Sequence, residues 1–174
     1  EAELLPKARD LDLEALEEIY DHLSPSLFRY AYRLLGNTHL AEDCVSETFN
    51  RFLTKLSERK GPKQYLKAYL YRIAHNWITD FYRRKHFEEV EIPDNLVSSM
   101  KSPESQTLEN LESKQVREAI LQLPPNQQQV ILLRFLEGWS IQEIAKSINK
   151  STGAVKLIQN RGFKKLRSLL EEED

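Results

Sequence analysis

Cysteine is almost absent from this chain. The single Cys44 in 174 residues excludes an intramolecular disulfide and suits a reducing compartment. One cysteine and four scattered histidines give no zinc-ligand spacing, and no metal or other cofactor is expected. His22, His39, His75 and His86 form no local catalytic constellation with the carboxylates, so the chain is not expected to be an enzyme. Glycine and proline are also scarce, at five and seven, and no strand-like alternation runs far, which predicts an all-α fold. The uncharged apolar runs fall far short of the ~20 residues that cross a bilayer. No charged-then-apolar N-terminal segment reads as a signal peptide. The expectation is a cytoplasmic protein with no membrane insertion.

What the chain does have is charge in blocks. Residues 59–87 carry eight basic and one acidic residue, and residues 140–168 carry seven and one. The segments before and between them are acidic, so a formal net charge of −2 hides two basic surfaces fit for a polyanion. Ordinary solvated helix faces would give a similar count.

Helix signals divide the chain. Asp12 caps a segment to about His22, Ser24-Pro25-Ser26 breaks it, and the next segment ends at Gly36-Asn37. A third helix runs from near Thr38 to about Leu56, with Ala41, Cys44, Val45, Thr48, Phe49, Phe52 and Leu56 on one stripe. After Gly61-Pro62, a fourth spans roughly Lys63 to Lys85. Residues 88–107 are acidic and Ser-rich, and read as a flexible linker between domains at 1–87 and 108–174. In the second domain a helix runs to Leu123. Pro124-Pro125 separates it from another that stops at Gly138.

The basic stretch Tyr65–Phe87 holds seven aromatics. On a helical wheel Leu66, Leu70, Ile73, Ala74, Trp77 and Phe81 form a core stripe, with Trp77 and Phe81 as packing residues. Beside it lie Tyr65, Tyr69, Arg72, Asn76 and Arg83, followed by Arg84 and Lys85. Rings stack on unpaired bases, cations neutralise phosphates, and an amide reads a base edge. An amphipathic helix with boundary tyrosines would carry the same residues.

The stretch "SIQEIAKSINKSTGAVKLIQNRGF" reads as a helix-turn-helix. Ser140 and Glu143 form a capping box, and Asn149 fits a turn at positive φ. Ser151 or Thr152 caps a second helix that buries Val155, Ile158, Gly162, Leu166 and Leu169. The face presenting Gly153, Lys156, Leu157, Asn160, Arg161 and Lys164 suits a major groove.

Three stretches in this order, "HLAEDCVSETFNRF", "AYLYRIAHNWITDFYRR" and "LPPNQQQVILLRFLEGWSIQEIAKSINKSTGAVKLIQNRGFKKLRSLL", resemble regions 2.2, 2.3–2.4 and 4 of a bacterial RNA polymerase sigma factor. The missing region 3 domain resembles the extracytoplasmic-function (ECF) group. That resemblance implies a region 2 bundle and a region 4 helix-turn-helix. It also implies core polymerase as partner, through its β flap and its β′ clamp helices, the latter bound by Asp43, Ser46, Glu47 and Asn50. A −10 element would meet Tyr65, Tyr69, Arg72, Asn76, Arg83, Arg84 and Lys85, with Asn76 near a flipped-base pocket. A −35 element would meet Ser151, Thr152, Lys156, Leu157, Asn160, Arg161 and Lys164. An anti-sigma protein is a possible further partner. The chain departs from the common pattern at Ser46, Lys150, Leu157, Ile158, Gly162 and Phe163, so a −35 preference is not carried over from other members. A free-standing helix-turn-helix regulator is the competing reading, but it has no need of the aromatic stripe or the acidic third helix.

Overall fold

The computed structural model describes residues 3–91 and 108–171, with side chains described for 3–85 and 114–171. All elements among the described residues are helical, as the composition predicts. In the first half a short α1 (Leu4–Arg9) leads into α2 (Leu13–Leu35), where Asp12 Oδ1 accepts the Ala15 N–H at 2.9 Å. Here the structure corrects one expectation: α2 does not break at Ser24-Pro25-Ser26. Pro25 removes one N–H donor, and Ser26 Oγ donates to the Leu23 carbonyl. Ile19, Leu27, Tyr30, Ala31 and Leu34 are buried on either side of it, so packing outweighs the local breaker. The helix stops at Gly36, whose φ of 62° is left-handed.

The third helix, α3 (Thr38–Ser57), buries its entire predicted stripe. Cys44 lies inside this core. Burial pushes its thiol up to about 12, so it stays protonated at neutral pH and fills space.

The fourth helix, α4 (Leu66–Glu91), starts later than Lys63 because Tyr65 sits at a left-handed φ of 56°. It continues past the expected linker boundary to Glu91; the rest of that linker lies outside the described residues. Leu66, Leu70 and Ala74 are buried as expected. Ile73, Trp77 and Phe81 are only partly buried, however, and Ala68, Tyr71, His75 and Ile78 take the remaining core places. The physical reason is a second covering: α4 packs against α2 and α3, and also against the second half of the chain. A wheel with one buried face centres the core on Trp77 and Phe81, whereas two neighbours rotate it towards Tyr71 and His75.

The second half comprises α5 (Leu108–Leu121), α6 (Pro125–Ile131), a π-type turn at Leu132–Leu136, α7 (Ile141–Ser147) and α8 (Thr152–Glu171). The π turn was not foreseen. In it Glu137 N–H reaches the Leu132 carbonyl at 3.1 Å, five residues back. Gly138 then reverses the chain at φ 70°. The capping box forms as read, with Glu143 N–H on Ser140 Oγ and Ser140 N–H on Glu143 Oε2. Asn149 takes φ 53°, and Ser151 Oγ caps α8 by accepting the Ala154 N–H. A Cβ on Gly162 would come within 3.1 Å of Ile131, so the close α6–α8 crossing explains glycine there.

His75 makes one of the polar contacts that join the halves. His75 Nε2 lies 2.9 Å from the Pro125 carbonyl, and Nδ1 lies 2.8 Å from the Tyr30 hydroxyl. A carbonyl only accepts, so Nε2 carries the proton and Nδ1 accepts from Tyr30. Burial lowers the His75 pKa to about 4, outweighing the opposing pull of the Pro125 carbonyl. The unfolded chain therefore binds more protons between about pH 6.5 and 4. Stability is fully present above that window and falls by about 3 kcal/mol as pH drops through it. Urea titrations at several pH values should show this slope in the native chain. In His75→Gln the slope should be missing, with lower stability at neutral pH.

Candidate nucleic-acid interface

Three groups of exposed side chains stand out from this frame. The first lies on α4 and the residues before it. Tyr69 is half-buried, its ring set edge-on to Phe52 at 6.3 Å, with the Arg72 guanidinium 5.5 Å from its centroid. One side of Tyr69 is thus anchored while a cation lies beside its ring. Tyr65 is 51% exposed and carries the Lys146 ammonium 4.1 Å over its ring. Asn76 is exposed one turn beyond Arg72. Further along, Arg83 pairs with Asp80 at 2.9 Å, and Arg84 and Lys85 are exposed. The structure brings Tyr65, Tyr69 and Arg72 together around one open cavity of about 240 Å³. Lys60, Pro62, Gln64, Ala68 and Lys146 complete its walls. Arg83, Arg84 and Lys85 lie farther down α4, outside that lining. Lys146 was missed by the sequence reading, because nothing local ties a residue of α7 to Tyr65.

The second group lies on α3. Asp43, Ser46 and Asn50 are exposed and Glu47 is partly so. They line one shallow depression together with Trp77 of α4. Glu47 accepts from Arg51 at 2.7 Å, and that hydrogen bond holds its carboxyl below the usual range. Trp77 and Phe81 stack nearly parallel, with centroids 5.8 Å apart and planes 8° apart. Trp77 therefore belongs to the edge of this acidic patch as much as to the core, which corrects its assignment as a plain packing residue.

The third group is α8. Ser151, Thr152, Lys156, Leu157, Asn160, Arg161 and Lys164 are all exposed, while Val155 and Gly162 are buried. Leu157 stays 51% exposed. Phe163 lies edge-on to Phe135 at 4.5 Å, an aromatic contact between α8 and the π turn.

Residues 19–88 match the family described as Sigma-70 region 2, and residues 119–168 match Sigma-70, region 4. The chain is 33% identical over 174 residues to the ECF RNA polymerase sigma factor BldN of Streptomyces coelicolor, covering 98% of this chain and 66% of BldN. It is 32% identical over 146 residues to the ECF RNA polymerase sigma factor EcfG of Rhodopseudomonas palustris, covering 84% of this chain and 80% of EcfG. The chain belongs to the ECF group of RNA polymerase sigma factors.

As a sigma factor it has a role in promoter-directed transcription initiation. The fold is shared with CnrH, solved in complex with the cytosolic domain of CnrY. The TM-score is 0.71 at 22% identity, over 99% of this chain and 98% of that one. It is also shared with the sigma factor RpoE solved with the anti-sigma factor NepR from Bartonella quintana, at TM-score 0.64 and 21% identity over 91% and 98%. Among the described residues of this sigma factor, no group of three or more His, Cys, Asp and Glu could hold a metal ion. No described helix is long and apolar enough to cross a membrane.

Proposed function

We propose that this sigma factor docks on core RNA polymerase through Asp43, Ser46, Glu47 and Asn50, reads a −35 element with α8, and reads and melts a −10 element with the α4 stripe. The observation that carries the reading is the separation of three exposed faces with different chemistry. An acidic face with an indole at its edge suits a basic protein partner. A ring–cation–amide stripe suits unstacked bases. A capped helix with Lys156, Asn160, Arg161 and Lys164 outward suits a major groove. The second half would also meet the polymerase β flap. An anti-sigma protein is a further proposed partner, a pairing present in the RpoE–NepR complex.

Gel-shift titrations of the free chain and of the holoenzyme on one cognate promoter test the order of events. The holoenzyme should bind more tightly, because the polymerase holds two weak DNA surfaces at a fixed separation. Equal affinities would end the proposal. Reversing charge at Asp43 and Glu47 should weaken holoenzyme assembly while circular dichroism and the melting curve stay unchanged.

On α8, two signatures should differ. Alanine at Lys156, Arg161 or Lys164 removes phosphate contacts, so binding should weaken across all sequences and the salt dependence should flatten. Asn160→Ala should instead relax preference at one or two −35 positions, by roughly 1–3 kcal/mol of discrimination. Binding measured across a panel of single-base −35 variants separates these outcomes.

A further inference from the structure

We infer that Gly153 and Leu157 form an apolar notch on the outward face of α8, and that this notch takes up the 5-methyl group of a thymine in the −35 element. This role rests on the reading of α8 given under Proposed function.

Leu157 is an apolar side chain on an otherwise polar face. Half of its surface is exposed, and Lys156, Asn160, Arg161 and Lys164 are exposed on the same helix. Its neighbour Ile158 packs against the core. Phe163, a second exposed apolar residue of α8, has the Phe135 ring against it. Leu157 instead shares a face with Asn160 and Arg161, three and four residues on. One exposed leucine is common on protein surfaces and needs no explanation by itself. The glycine one turn before it supplies a second observation.

Gly153 is the second residue of α8. Glycine is a poor helix former, and the ordinary reasons for one do not apply here. Its φ is not left-handed, unlike those of Gly36 and Gly138. Among the described residues, a Cβ at position 153 would meet only Ser151 Oγ, at 4.0 Å. At Gly162, by contrast, Ile131 would lie 3.1 Å away. Nor does the start of the helix depend on Gly153, since Ser151 Oγ already caps it through the Ala154 N–H. Close approach by a group from outside the chain is the remaining use of a glycine at this place.

Gly153 and Leu157 are four residues apart and so lie one above the other on one face. Helical side chains lean towards the N-terminus, which carries the Leu157 isobutyl group over the turn that contains Gly153. With no side chain at 153, the leucine methyls are uncovered on that side and a base pair can come close to the helix. A leucine can neither neutralise a phosphate nor hydrogen-bond a base edge. The major groove offers it one apolar group, the C5 methyl of thymine. Lys156 and Arg161 beside it can hold phosphates and so fix the register.

The test removes that methyl alone. Holoenzyme is titrated by gel shift against one cognate promoter in which each −35 thymine, on either strand, is replaced in turn by deoxyuridine. Uracil keeps the pairing edge and loses only the methyl group. One replacement should weaken native binding about fourfold, the effect of returning one methyl group to water. Leu157→Ala holoenzyme should bind the thymine promoter several-fold more weakly, with no further loss from uracil at that position. Leu157→Met keeps an apolar side chain of similar volume and should keep the sensitivity to uracil. Gly153→Ala should melt no earlier than the native chain, yet bind the thymine promoter less tightly. If it binds like the native chain, glycine has no part in the notch. The methyl contact is overturned if no uracil replacement weakens native binding, or if the −35 element holds no A·T pair. It is overturned too if Leu157→Ala stays as sensitive to uracil as the native chain. Weakened assembly of Leu157→Ala with core polymerase, without any change in the response to uracil, would make Leu157 a protein-docking residue and overturn it as well. Lys156→Ala and Asn160→Ala on the same promoters keep the two claims apart. If they weaken binding while uracil has no effect, α8 still reads the −35 element and only the methyl contact falls. If neither changes binding, the reading of α8 itself fails, and the notch with it.

Discussion

Tyr69→Ala and Asn76→Ala holoenzymes are expected to bind promoter duplex nearly normally and to open it poorly. Stacking and base-edge contacts become available only after bases leave the duplex, so their loss acts late. One stacking contact is worth ~1–3 kcal/mol, which lowers the open-complex equilibrium roughly 5- to 150-fold. A promoter with a pre-melted −10 bubble should recover part of the loss. Permanganate footprinting of unpaired thymines measures opening directly. Asn76 is the cleaner probe, because it is exposed, whereas the Tyr69 ring also packs on Phe52. If Asn76→Ala opens the promoter as the native protein does, the amide has no part in strand separation.

Tyr71→Ala should cause the largest loss of stability among the α4 aromatics. The ring is fully buried, edge-on to Tyr30 at 5.1 Å and against Trp139 at 4.9 Å, and its hydroxyl serves Glu137. Truncating a buried aromatic costs ~3–5 kcal/mol, equivalent to a fall in Tm of roughly 10 °C for a chain of this size. Trp77→Ala should behave differently. Trp77 is only partly buried and lies beside Asp43, Ser46, Glu47 and Asn50, so about 1 kcal/mol of stability is expected to go. Its larger effect should fall on polymerase assembly. Thermal melts of both variants beside assembly titrations decide the matter. Equal losses of stability would return Trp77 to the core.

The contrast between Tyr71 and Trp77 shows where the sequence stopped being legible. Features set by neighbours along the chain were readable. Asp12, Ser140 and Glu143 cap helices as expected, and Asn149 takes the left-handed turn. The α3 stripe is buried as its period dictates, because α3 offers one apolar face to one core. Helix α4 carries two competing stripes and is covered from two sides, and a single wheel cannot say which apolar residues win. Pro25 misled for a related reason: its cost is local, while the burial that keeps α2 intact comes from residues far along the chain. The exposed face of α8 was visible from spacing alone. Lys146 over Tyr65, and Glu137 between Arg33 and Tyr71, were not, since each joins residues more than sixty positions apart and no local pattern encodes such a meeting.

Promoter selection itself is most directly read by transcription from a genomic promoter library, using core polymerase with and without this chain. Transcripts are expected that appear only when the chain is present, from starts sharing one −10 and one −35 sequence. Loss of those transcripts is expected with Asn76→Ala, with a shifted −35 preference for Asn160→Ala. No chain-dependent initiation, together with tight and sequence-specific duplex binding by the chain alone, would contradict promoter selection and favour a free-standing DNA-binding regulator.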